Sequence, residues 1–81
     1  MAYYVYLVEC SDNTYYCGYT INLERRIDEH NDSIKGAKYT SGRRPVTLKY
    51  YEKYENLSEA LKREHEIKQL PRKEKEKLNL K

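Results

Sequence analysis

The chain has no Phe and no Trp, and only three Gly, two Pro, two Cys and one Met in 81 residues. Its aromatic share is carried entirely by ten Tyr. Every aromatic ring taken into the interior therefore brings a hydroxyl that needs a partner or a route to water. Two cysteines, Cys10 and Cys17, can neither build a disulfide framework nor complete a four-ligand zinc site, and they read as small thiols in a reducing compartment. No apolar run approaches the length of a membrane span, and the N-terminus has no basic region followed by an apolar stretch. The expectation is a soluble, cytoplasmic protein with no membrane partner. Neither sign of charge dominates: sixteen Lys and Arg against thirteen Asp and Glu leave +3, which is compatible with a polyanionic partner without requiring one. Repeats, linkers and low-complexity segments are missing too. The length leaves room for a single domain over residues 1–81, with one modest core and one site.

What is present reads as a small α+β protein. Residues 3–10 (YYVYLVEC) are β-branched and aromatic enough for a strand, Ser11–Thr14 are turn formers, and Tyr15–Thr20 resume strand character. This is a β-hairpin. Asn22 offers an N-cap for a helix to about Asn31. Residues 32–45 read as a loop. Val46, Leu48 and Tyr50 alternate with Thr47 and Lys49 as a third strand. A second helix begins near Leu57 or Ser58, capped by Asn56 or Ser58, and ends before Pro71. The charged tail, 71–81, suits a short, exposed, fraying helix beyond a core of about residues 3–70. The fold class is α+β: a three-stranded antiparallel sheet flanked by helices, in the order ββαβα plus a short C-terminal helix.

Both helices break their apolar pattern. At about 100° per residue, Leu23, Arg26, Ile27 and His30 share the sector that should face the sheet. In the second helix Leu57, Ala60, Leu61 and Ile67 mark the inner face, with Glu64 near its centre. A carboxylate there is costly unless paired, hydrogen-bonded or bound to a metal. Spacing alone does not separate an Arg26–Glu64 structural salt bridge from a functional site. Tyr6 and Tyr16 share a face of the sheet only if the hairpin loop has an odd number of residues; a four-residue loop at Ser11–Thr14 would part them.

Val5-Tyr6-Leu7, followed about ten residues later by Tyr16-Cys17-Gly18, resembles the paired tripeptides of the GIY-YIG nuclease superfamily. Leu23-Glu24-Arg25-Arg26 with His30 is similar to that family's first helix, where an arginine stands eight residues after the second motif's glycine, here Gly18. Ala60-Leu61-Lys62-Arg63-Glu64 resembles the context of its metal-binding glutamate. The likeness spans residues 3 to about 70. Residues 36–40 and 42–45 (GAKYT and GRRP) look most like its small stand-alone bacterial members. The chain departs from the tripeptides with Tyr4 in place of Gly and Cys17 in place of Ile.

The resemblance implies a metal-dependent endonuclease acting on nucleic acid, DNA first. Glu64 would hold one Mg²⁺ or Mn²⁺, Arg26 would grip phosphate oxygens, Tyr6 or Tyr16 would be general base or orient the water, and His30 would relay a proton or hydrogen-bond a tyrosine. A free phenol titrates near 10, so the base role needs a lowered pKa. Lys35, Lys38, Tyr39, Arg43 and Arg44 form a basic cluster with an aromatic among them, suited to phosphate and base contact. No second domain is available for targeting, so an unguided nuclease would need a structure-selective substrate or a protein partner that supplies it. The alternative is a non-catalytic or weakly active nucleic-acid-binding module with the same fold.

Overall fold

Strand β1 (Tyr3–Glu9) pairs antiparallel with β2 (Tyr15–Thr20), and the turn between them is built by its own side chains. Asp12 Oδ1 accepts from the Thr14 backbone N–H at 3.1 Å and from its hydroxyl at 2.6 Å. Asn13 takes a positive φ of 67°, a conformation asparagine tolerates better than most residues. Glu9 pairs with Tyr15, leaving Cys10–Thr14 as the loop. That loop is odd-numbered, so the register sets Tyr6 opposite Gly18 and Val8 opposite Tyr16, and both tyrosines lie on one face.

The computed structural model describes residues 1–32 and 38–79. After β2 come α1 (Leu23–Asp32), α2 (Lys38–Ser41), β3 (Thr47–Tyr54), α3 (Leu57–Gln69) and α4 (Arg72–Lys77). The sheet order is β2-β1-β3, all antiparallel. This is the expected α+β architecture with one addition, the single-turn α2 inside the segment read as loop. The third strand runs further than Tyr50, to Tyr54, whereas the second helix keeps its expected bounds, with Asn56 as the α3 cap: its side chain accepts from the backbone N–H of Ser58 and Glu59.

Being central, β1 is covered on both faces, and Val5, Tyr6, Leu7 and Val8 are all buried. Val5 and Leu7 pack with Cys17 against Ala60 and Ile67 of α3. Tyr6 and Val8 pack with Cys10 and Val46, next to Leu23 and Ile27 of α1. The two helices therefore lie on opposite faces of the sheet. A register irregularity falls between Leu7 and Val8, which pair with Tyr50 and Leu48 and skip Lys49. It breaks the simple alternation of β3: Leu48 joins the α1 face and Tyr50 the α3 face.

The inner stripe of α3 is narrower than its apolar residues imply. Ala60 and Ile67 are buried, whereas Leu57 and Leu61 are 38% and 39% exposed. Leu61 stands about 100° round the helix from Ala60, and the sector on Ala60's other side is held by Arg63. That guanidinium forks onto both Glu52 carboxylate oxygens, at 3.0 to 3.2 Å, and Glu52 also accepts from the hydroxyls of Tyr50 and Tyr54. Burial pushes Glu52 upward, but these three donors together hold it below the usual carboxylate range. Burial and the adjacent Glu52 push Tyr54 up to about 12. Glu52→Ala leaves three donors without their acceptor, and the expected loss is about 2 kcal/mol in urea unfolding.

The C-terminal segment closes this face. Leu70 and Leu78 are half-buried against the α3-side core, and Arg72 and Lys49 both lie over the Tyr15 ring, at 4.9 and 5.6 Å.

Candidate active site

On the other face, helix α1 carries two charged-type residues toward the sheet. Asn22 starts it, with its side-chain oxygen accepting from the Arg25 N–H at 3.1 Å. Arg26 and His30 then follow one turn apart. Asn31 clips the far end of the helix to the chain before β3: its amide donates to the Val46 carbonyl at 3.1 Å and accepts from the Val46 N–H at 2.7 Å. The Arg44 guanidinium donates to the His30 carbonyl at 2.6 Å.

His30 is fully buried between two hydroxyls. Its Nε2 is 2.7 Å from Tyr6 Oη, and its Nδ1 is 2.8 Å from Thr40 Oγ1. The ring also meets Tyr6 and Tyr16 edge-on, at 5.7 and 5.4 Å. Arg26 lies beside Tyr6, close enough to act on its phenol electrostatically, and pairs with Glu29 at 3.0 Å. Gly18 is what lets Tyr6 lie flat across β2. A Cβ at that position would sit 2.6 Å from Tyr6 Oη and 2.8 Å from its Cζ.

Tyr16 is half-buried and stacks on Tyr39, with ring centres 5.7 Å apart, and the Arg43 guanidinium lies over the Tyr39 ring, 4.2 Å from its centre. Arg43 is anchored in turn by Asp12 at 3.0 Å and by the Tyr39 carbonyl at 2.8 Å. The hairpin turn, α2 and β2 are thereby tied into one wall beside His30.

The electrostatics are set by burial. Tyr6 is pushed up to about 12, because loss of water outweighs the nearby Arg26. His30 is pulled down to about 4 by burial and by Arg26. Burial alone would lower Arg26, but Tyr6 and Glu29 more than offset it, so the cation is secure. At neutral pH the cluster therefore holds a neutral phenol, a neutral imidazole and a permanent guanidinium. The condition for a tyrosine base, a lowered pKa, is not met at Tyr6 by the protein's own groups.

The structure thus brings Tyr6, Tyr16, Arg26 and His30 together around Gly18. Glu64 arrives from the opposite face. Its side chain is 16% exposed and pairs with Lys68 at 3.7 Å, and its carbonyl lies 3.8 Å from Cys17 Sγ, between Tyr16 and Gly18 in sequence. Among the described residues no ion pair joins Arg26 to Glu64, so the salt bridge left open by spacing is replaced by Arg26–Glu29 and Glu64–Lys68. Nor do these residues gather three or more His, Cys, Asp or Glu in one place.

Of the basic cluster, Lys38 is exposed and Tyr39 is 39% exposed, while Arg43 and Arg44 reach inward to the anchors just described. Lys35 lies outside the described residues. Sequence reasoning missed Thr40, Asp12 and Asn31, since a threonine in a polar loop carries no periodic signal. A groove of about 590 Å³ lined by Tyr4, Ile21, Leu23, Ile27, Leu48 and Tyr51 lies further along the same face and includes none of the clustered groups. Among the described residues no helix is long and apolar enough to cross a membrane.

Residues 2–79 match the GIY-YIG catalytic domain family. The chain is 55% identical over 76 residues to a UPF0213 protein of Halobacterium salinarum, covering 94% of this chain and 97% of that one. It is 54% identical over 76 residues to a UPF0213 protein of Staphylococcus haemolyticus, covering 94% and 92%. Two solution NMR structures are similar: a UPF0213 protein from Bacillus halodurans (TM-score 0.59, 46% identity) and a protein from E. faecalis (TM-score 0.64, 47% identity), each covering 94% of this chain and 80% of the other.

Proposed function

The chain belongs to the GIY-YIG catalytic domain family, and from that premise we propose that it is a divalent-metal-dependent nuclease hydrolysing phosphodiester bonds, with DNA as substrate. The observation that carries the reading is the clustering of Tyr6, Tyr16 and His30 on one face of the sheet, with the permanently charged Arg26 beside Tyr6.

Hydrolysis of a phosphodiester requires a positioned water, a counter-charge for the pentacoordinate phosphate, and help for the departing oxygen. Arg26 meets the second need: its planar fork suits two phosphate oxygens, and its side chain is 25% exposed rather than sealed. Tyr16 is the tyrosine on the solvent side and orients the attacking water. Tyr6 keeps its proton and braces Arg26 and His30 from within. Glu64 is the carboxylate suited to Mg²⁺ or Mn²⁺, since such ions take one or two carboxylates and fill the remaining positions with water and phosphate oxygens. Its chemistry fits: a half-sheltered carboxylate whose ion pair is with the largely exposed Lys68. When bound, the ion supplies charge neutralisation at the phosphate and leaving oxygen.

Lys38 and Tyr39 rim the same wall and contact the nucleic-acid strand. The protein acts in the cytoplasm, and a protein partner provides targeting.

The test is cleavage of plasmid and branched DNA with Mg²⁺, Mn²⁺ or EDTA. Wild-type protein is expected to cut only with metal. Arg26→Ala and Glu64→Ala are each expected to lose at least about 100-fold in rate with little change in unfolding midpoint. Full activity in either variant overturns the assignment. Metal-independent binding without cleavage by wild-type protein establishes the non-catalytic alternative instead.

A further inference from the structure

Arginine can only donate hydrogen bonds, whereas a phenol oxygen donates one and accepts up to two. Tyr6 Oη lies 2.7 Å from His30 Nε2, with the Arg26 cation nearby, in a site where the tyrosine is 1% exposed. If the oxygen accepts from Arg26, its own proton is best used on His30, and Nε2 must then be the unprotonated ring nitrogen. A neutral imidazole with a bare Nε2 carries its proton on Nδ1. That proton points at Thr40 Oγ1, 2.8 Å away.

We propose that Thr40 is a positioning residue: by accepting the Nδ1 proton it holds His30 in the Nδ1-protonated tautomer, which draws the Tyr6 proton inward and leaves the Tyr6 oxygen as an acceptor for Arg26. The opposite tautomer would aim two donors, Nε2–H and the guanidinium, at one oxygen and send the tyrosine proton elsewhere. Both lone pairs of the Tyr6 oxygen would then be taken, and its buried proton would lose His30 as its acceptor. Thr40 is suited to the task because it is fully buried and its backbone is fixed: its carbonyl accepts from the Arg43 N–H at 3.0 Å, and Arg43 is itself locked to Asp12. A single-turn helix thus acts on the guanidinium through two intervening side chains, His30 and Tyr6. Only the catalytic consequence of this arrangement rests on the nuclease reading; the arrangement itself does not.

The experiment is a long-range ¹H–¹⁵N correlation of the histidine rings in uniformly labelled protein at pH 7, with His65→Gln assigning the two rings. The expected result is an unprotonated Nε2 and a protonated Nδ1 for His30. Thr40→Val, nearly the same shape without the oxygen, should shift His30 to the other tautomer or a mixture, and lower the DNA cleavage rate by about tenfold with KM little changed. Thr40→Ser should restore both the ring pattern and the rate. A protonated Nε2 in wild-type protein overturns the proposal, as does an unchanged ring pattern in Thr40→Val. Should Thr40→Val fail to fold, the serine variant decides: losing the wild-type pattern there overturns it as well. A wild-type protein with the expected ring pattern that cuts no DNA with any metal supports the proton arrangement and overturns the nuclease reading.

Discussion

Gly18→Ala is expected to cost about 2 kcal/mol of stability and to lower cleavage by about 100-fold. The added methyl would stand 2.6 Å from Tyr6 Oη and 3.3 Å from Tyr16 Cε2. An exposed tyrosine would swing aside at little cost, but this ring is buried and its hydroxyl is bound to His30. Displacing it breaks that bond, tilts the ring away from Arg26 and disturbs the Tyr16 wall, so one methyl reaches all four clustered residues. Urea unfolding and a cleavage assay check the two effects. The decisive reading is the His30 ring signal. Gly18→Ala with unchanged stability and an unchanged ring would mean that Tyr6 does not lie across Gly18.

The second large effect is on acid stability. His30 titrates at about 4 in the folded protein, against about 6.5 for an unperturbed histidine. Between those values the unfolded chain takes up a proton that the folded protein refuses. Unfolding is then favoured increasingly as pH falls from about 6.5 to 4, and the full loss is about 3 kcal/mol. Burial is the first cause and Arg26 the second. Glu52 acts in the same sense at lower pH: its carboxylate is held below the usual range, so its stabilisation is complete above that range and fades as pH falls through the lowered value. Urea midpoints measured from pH 8 to 4.5 should therefore begin to drop well above the carboxylate range. His30→Gln should be less stable at pH 8 and should lose much of that early slope. Equal slopes in wild-type and variant would count against a buried neutral His30.

Much of the scaffold was legible in the chain because local chemistry decides it. Turn formers at Ser11–Thr14 between two strand-like runs make a hairpin wherever they occur, Asn22 and Asn56 supply caps, and Pro71 stops a helix. An arginine and a histidine one turn apart among apolar residues likewise announce an inward polar pair, and the family likeness pointed to the tyrosines beside them. What could not be read were the features that depend on how segments far apart in sequence meet. Thr40 reads as an unremarkable loop residue and becomes a buried partner of His30 only because α2 folds over the end of α1. Leu57 and Leu61 look like core and are exposed, because Arg63 and Glu52 claim the flank of α3 instead. Arg43 reads as a cation for phosphate and is found bracing the hairpin turn.

The sequence by itself determined the hairpin, the third strand and the helices other than α2, their order, and which residue types stand one turn apart, since these follow from backbone preferences and periodicity over short distances. Only the tertiary structure decided that the two helices cover opposite faces of the sheet, that Arg26 and Glu64 take separate partners, and that Tyr6 holds its proton. Those outcomes rest on burial and on the meeting of distant side chains. Solvent exclusion acts on a group only once the chain has closed around it, so the charge state of the cluster is a property of the fold, not of the residues taken one at a time.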